Sequence, residues 1–160
     1  MTDRDATVLP PSDAELRAED ARARELARSE LARPIVLEAG AGTGKTAVLV
    51  ARVISWCVGA GWARAVQALH GPRGAEPEGQ EEAVAARVLE RTVAITFTER
   101  AAAEMEQRVT DGFAELVRGG APCGLPRSVL VAAAGSEALL AQRSAALLAA
   151  SDSLAVSTFH

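Results

Sequence analysis

Eight consecutive residues constrain this chain more than any other stretch: Ala39-Gly40-Ala41-Gly42-Thr43-Gly44-Lys45-Thr46. They stand between a short apolar run, Ile35-Val36-Leu37, and a longer one, Ala47 to Val58, apolar nearly all round except for Arg52 and Ser55. The first run reads as a buried parallel strand and the second as a helix packed on several sides. Glycines at alternate positions let the backbone curl until successive N–H groups point into one concavity. The start of the following helix adds its partial positive charge there. Lys45 supplies a compact ammonium for β- and γ-phosphates, and Thr46 a hydroxyl for Mg2+.

Composition sharpens the reading of the lysine. Lys and Arg together number 17, and Lys45 is the one lysine among them. A chain so biased toward arginine keeps a lysine where a generic cation does not serve. The segment departs from the pattern G-x-x-x-x-G-K-[ST] only at its first position, which is Ala39. A methyl group is tolerated there while φ stays negative. The strand–loop–helix context is the one a phosphate-binding P-loop requires.

The formal net charge of −4 gives the chain no global basic field to draw it onto nucleic acid, so any such contact must be local. Cys57 and Cys123 lie far apart without a CxxC or Cys/His cluster, which reads as two reduced cysteines with no metal or disulfide role. Met1 to Asp20 is polar and acidic, unlike a signal peptide. The apolar stretch from Ala47 to Ala60 is interrupted by Arg52 and is too short to span a bilayer. A soluble, cytoplasmic protein with no membrane partner is expected.

Residues 1–11 read as a disordered lead, and 12–160 as one folded unit. Ser12 and Glu15 form a capping-box pattern that starts a charge-dense helix near Asp13, running to about Leu31. Glycines and prolines predict a loop insertion at about 59–80, followed by a short helix from Glu81 to Glu90. Thr92 to Phe97 is rich in β-branched residues and reads as a second strand. Ala102, Met105, Val109, Phe113 and Leu116 give Glu99 to Val117 one apolar helical face. A helical insertion is expected at about 121–151, with a loop at Pro122 to Pro126 and a helix capped by Ser136 that buries Leu139, Leu140, Leu147 and Leu148. Ser153 to Thr158 closes the pattern as a third strand. Alternating strands and helices imply an α/β fold with a parallel sheet.

The run Val93-Ala94-Ile95-Thr96-Phe97-Thr98-Glu99-Arg100-Ala101-Ala102-Ala103-Glu104-Met105 resembles motif Ia of UvrD/RecB-like superfamily-one DNA helicases, usually written TFTxxAAxEM. Val156-Ser157-Thr158-Phe159-His160 is similar to their motif Ib. With the P-loop the resemblance covers roughly Asp20 to His160. It implies a P-loop NTPase (RecA-like) three-layer sandwich with a parallel sheet, incomplete here, with extra helices between its second and third strands. It also implies ATP and Mg2+ as ligands, held by Ala39, Gly40, Ala41, Gly42, Thr43, Gly44, Lys45 and Thr46, with Lys45 and Thr46 catalytic and Thr46 on the metal. Phe97, Thr98, Thr158 and His160 would touch DNA, Phe97 as a platform for a base.

The implied activity is ATP-driven 3′–5′ unwinding in repair or recombination. The implied partners are single-stranded DNA or DNA with a single-stranded tail, the remaining helicase domains, and a nuclease domain or subunit. Two departures shape this expectation. Ala21 stands where many relatives carry the adenine-reading Gln. The long helical gap between motifs Ia and Ib is nearer the RecB/AddA branch. The carboxylates that complete the Mg2+ site and orient water belong to a DExx-type motif expected beyond His160. Hydrolysis is therefore expected of the parent, and at most weak nucleotide binding of this segment.

Overall fold

The computed structural model describes residues 12–38, 42, 44–72 and 79–158. Among them the helices are α1 (Asp13–Ser29), α2 (Lys45–Val58), α3 (Ala60–His70), α4 (Glu81–Glu90), α5 (Glu99–Val117), α6 (Arg127–Ala134) and α7 (Glu137–Ala149). Two short strands, β1 (Val93–Thr96) and β2 (Ala155–Thr158), pair in parallel. The molecule is mostly helical with a small parallel sheet, compatible with an α/β class.

Local signals explain most of the helix ends. Ser12 accepts from the Glu15 N–H at 3.3 Å, and Glu15 accepts from the Ser12 N–H at 2.7 Å, so the capping box forms as expected. The Ser12 N–H and then the Ser12 hydroxyl, at 2.8 Å, donate to the exposed Glu15 carboxylate and hold it below its ordinary pKa. Thr98 caps α5 and Ser136 caps α7, each accepting an N–H three residues on. Only Ala27 of α1 is buried. This helix is tied down at its far end by Arg52, whose guanidinium donates to the carbonyls of Ala27 and Glu30, both at 2.6 Å. Those carbonyls lie in the last turn of α1, where helix geometry leaves them without intrahelical partners.

The core is built around α2. Val50, Ala51, Ile54, Cys57 and Val58 are fully enclosed, and they meet Trp62 of α3, Phe113 and Leu116 of α5, Leu130 of α6, and Leu140 and Leu147 of α7. Gly112 lets α5 come close to α2, because a Cβ there would collide with Cδ1 of Ile54. The expected apolar face of α5 is buried at Met105, Val109, Phe113 and Leu116. In α7, Leu140 and Leu147 are core residues, while Leu139 and Leu148 pack half-buried around them.

Two expectations are corrected. Ile35-Val36-Leu37 forms no strand: the sheet has two strands, and Val36 is 87% exposed. A strand exists only where its backbone finds a ladder partner, and neither β1 nor β2 pairs with this run. The stretch from Gly59 to Gln80 is not simply a loop, because α3 occupies its first half. Gly59 breaks the chain direction with φ −112° and ψ −109°, after which Trp62, Ala65 and Val66 recur at helical spacing and are buried. The segment from Pro122 to Pro126 carries a 3-10 turn, and α6 follows it.

Together α2 and α3 cover Lys45–His70, 26 residues that contain an 18-residue window of mean hydropathy 1.5, enough by length and composition to cross a membrane. The apolar side chains of α2 instead face α5, α6 and α7 and those of α3 face α4, and the break at Gly59 divides the stretch into two helices packed on each other. This is the pattern of a core helix pair.

Candidate functional site

The strand pair brings two distant sequence segments to one edge. In the parallel register Val93 lies beside Ala155, Ala94 beside Val156, Ile95 beside Ser157 and Thr96 beside Thr158. Both strands therefore end together, 62 residues apart in sequence (158 − 96), at their carboxyl edge. In open α/β sheets that edge is where ligands bind.

Alternation along β1 decides what the edge presents. Ala94 and Thr96 turn toward the helical layer and are half-buried, whereas Val93 and Ile95 are 62% and 61% exposed. Phe97 follows on the outer side, and its ring is 91% exposed. Among the described residues Phe97 is the most exposed of the large apolar side chains. Next to it, the Thr98 hydroxyl accepts from the Ala101 N–H at 3.2 Å and so opens α5. Thr96 Oγ1 donates to the Thr98 carbonyl at 2.9 Å, which fixes the turn from strand to helix. Having accepted from Ala101, the Thr98 hydroxyl still has a proton to donate outward. Thr158 is half-buried at the end of β2. Phe159 and His160 lie outside the described residues.

The phosphate-loop segment is described at Gly42, Gly44, Lys45 and Thr46; Ala39, Gly40, Ala41 and Thr43 lie outside the described residues. Gly42 has φ +77° and Gly44 φ +82°, left-handed conformations that glycine adopts without strain. Gly44 is also the residue before α2, and no side chain caps that helix start. Lys45 and Thr46 are the first two residues of α2, Lys45 exposed and Thr46 half-buried. A helix start with left-handed glycines, no capping side chain, an ammonium and a hydroxyl fits a phosphate with a bound cation. Among the described residues no three His, Cys, Asp or Glu side chains gather as a metal set.

One neighbour of the loop escaped the sequence reading. Arg24 of α1 brings Nη1 to 3.8 Å from the point where a Gly44 side chain would begin. Its Nε is held by Asp20 at 2.9 Å. Within a helix dense in charge this arginine looks like any solvated residue, and only the docking of α1 against α2 reveals its position. The stretch Asp20 to Arg24, read as lacking the adenine-selective Gln, thus delivers a guanidinium beside the loop instead.

Neither a curated protein nor a solved structure matches the chain. The family described as UvrD/REP helicase N-terminal domain matches residues 20–160, a span that takes in the glycine loop, both strands and every helix from α2 onward. On that match the chain belongs to the UvrD/REP helicase family, through its N-terminal domain.

Proposed function

We propose that the chain is the ATP-binding part of a DNA helicase in which the loop before α2 holds the nucleotide and the carboxyl edge of β1 and β2 tracks single-stranded DNA. Membership in the family supports a DNA helicase, hence a hydrolase, as the parent activity. The observation that carries the DNA half is Phe97, an aromatic ring 91% exposed at the edge where Thr96 and Thr158 stand side by side. Exposed aromatics stack on bases without regard to sequence, which suits a motor that must pass over any base. Thr98, Thr158 and His160 are assigned to the strand beside it, with the Thr98 hydroxyl donating to a backbone phosphate.

In the nucleotide half, the N–H groups of Ala39 to Gly44 and the start of α2 are assigned to the phosphates. Lys45 takes the β- and γ-phosphates and Thr46 the Mg2+. The cation, when bound, neutralises charge that develops on the transferred phosphoryl group. The P-loop three-layer sandwich is the architecture this reading requires, and translocation in the 3′–5′ sense, a role in repair or recombination, a cytoplasmic location and partnership with further helicase domains or a nuclease of the RecB/AddA kind belong to it. Arg24 beside Gly44 supplies a second positive group at the loop where the adenine-reading Gln is lacking.

The test is Lys45→Ala in the complete helicase. DNA-stimulated ATP hydrolysis should vanish while the circular dichroism spectrum and thermal melt stay unchanged. Turnover retained at the wild-type rate would overturn the assignment. Calorimetry of the chain with Mg-ATP separates the alternative of a non-catalytic binding module: tight binding with no DNA-stimulated turnover in the complete protein favours the module.

A further inference from the structure

Helix α1 packs on α2 but is fastened to the body at one end only. From Asp13 to Ala23 every residue of α1 is exposed. Its inward stripe begins at half-buried Arg24 and continues through Ala27 and Arg28, three and four residues on, as one face of a helix does. Arg52, from the middle of α2, grips the far end through the Ala27 and Glu30 carbonyls. Arg28 lies at the same end, with Nη2 3.7 Å from the place of a Gly124 side chain. The first half has no such hold among the described residues: its side-chain hydrogen bonds, between Ser12 and Glu15 and from Arg24 to Asp20, stay within the helix and its cap. A helix of 17 residues is marginal by itself in water, so the order of that half depends on what fastens it.

Arg24 is where the exposed half reaches the phosphate loop. Its Nη1 stands 3.8 Å from the place of a Gly44 side chain, and Gly44 is the residue before α2. Asp20, one turn back, accepts from Nε at 2.9 Å and so steadies the guanidinium near its stem. Neither Nη1 nor Nη2 has an acceptor among the described residues. These groups can take an anion while Nε keeps Asp20. The helix start beside them has no capping side chain, so a guanidinium and a helix dipole bear on one small volume.

We propose that α1 is a nucleotide-operated clasp: phosphate bound in the loop before α2 is gripped by Arg24, and this second fastening docks the exposed half of α1 on the body. The inference rests on the nucleotide reading given above and adds a regulation of that same site. Coupling of this kind is reciprocal, so whatever factor phosphate adds to the docking of α1, docked α1 returns to phosphate affinity. The Arg24 side chain is 38% exposed and therefore screened, which makes the factor about threefold.

Backbone hydrogen exchange of the full chain tests this, read at Arg17 to Leu26 without ligand, with Mg-ATP, with inorganic tripolyphosphate and Mg2+, and with adenosine. Calorimetry under the same conditions reports binding. Mg-ATP and tripolyphosphate should each slow these amides about threefold, and adenosine should not, because the grip is on phosphate. Arg24→Gln should remove the slowing and weaken Mg-ATP about threefold, with the melt unchanged. Arg22→Gln makes the same change of charge on an exposed neighbour and should keep both. Binding in the calorimeter with α1 exchange unchanged overturns the clasp and leaves the loop assignment standing. Slowing that survives in Arg24→Gln, that is lost equally in Arg22→Gln, or that adenosine produces overturns it as well. No binding of Mg-ATP or tripolyphosphate removes the loop assignment together with the clasp.

Discussion

Arg143 of α7 donates a hydrogen bond of 2.7 Å to the carbonyl of Val58, the last residue of α2. The same guanidinium lies over the Trp62 ring, 5.4 Å from its centroid. A charged side chain thereby occupies the core in order to satisfy the end of the central helix, where carbonyls otherwise lack partners. Replacing Arg143 with Met keeps much of the bulk and removes the donor. The expected cost is about 1.5–3 kcal/mol, the range for a hydrogen bond to a charged group. Urea unfolding checks this as a lower midpoint at unchanged slope.

Gly61→Ala tests the close crossing of α3 over Trp56. The new methyl would meet both the indole and the Trp56 backbone carbonyl, and the carbonyl cannot swing aside. Overpacking of this kind costs about 1–3 kcal/mol. Thermal melting should show the loss, and the Trp56 emission should shift as the ring is displaced.

At Gly44 the constraint is conformational, since φ is +82° and the nearest atom to an added Cβ is 3.8 Å away. Gly44→Ala therefore meets no clash and carries only the left-handed penalty of roughly 1–2 kcal/mol. Relief of that strain would re-aim the loop, so Mg-ATP affinity measured by calorimetry should fall by more than the melt does. Arg24→Gln should lower the same affinity modestly and leave the melt unchanged, because its partner Asp20 is exposed.

Burial pushes the Cys57 thiol up to about 12 from 9.0, against a smaller opposing hydrogen bond with Thr92. The folded state thus keeps a proton that the unfolded chain releases. Stability from this thiol is fully present below pH 9 and is lost as pH rises from there through about 12. Denaturant midpoints measured from pH 7 to 11 should fall above pH 9, and Cys57→Ala should flatten that decline. A thiol reagent at neutral pH should label half-buried Cys123 well before Cys57.

Much of this organisation was legible where a residue's own chemistry ends an element. The capping box at Ser12 and Glu15 and the Ser136 cap follow from side chains acting on backbone within a few residues, and α4 and α5 start and end where their expected bounds put them. The run Ile35 to Leu37 misled because apolar residues announce a strand only when a ladder partner is present, which is a property of the fold. Gly59, Gly61 and Gly71 misled in another way. They suggested a loop, yet Gly61 is inside a helix because a neighbouring indole occupies the place of its side chain. The small cavity at the junction of α2, α3 and α4 was invisible for a similar reason, since its lining residues Arg64, Arg87 and Arg91 become neighbours only when α3 docks on α4. The carboxyl-edge residues Thr96 and Phe97 were readable through their resemblance to a known motif, and their pairing with Thr158 came from the register.

The two arginines that grip α2 have a mechanical consequence. Arg143 holds its last carbonyl from one side and Arg52, projecting from its middle, grips the end of α1 on another. Close-packed interiors resist sliding, because side chains interlock with little free volume. A rod fastened in this way cannot advance along its own axis without carrying α1 and α7 with it. Any displacement felt at Lys45 is therefore handed to the whole helical body as a single rotation or shift. The energy of a ligand arriving at that tip would be spent moving a block and not loosening a helix.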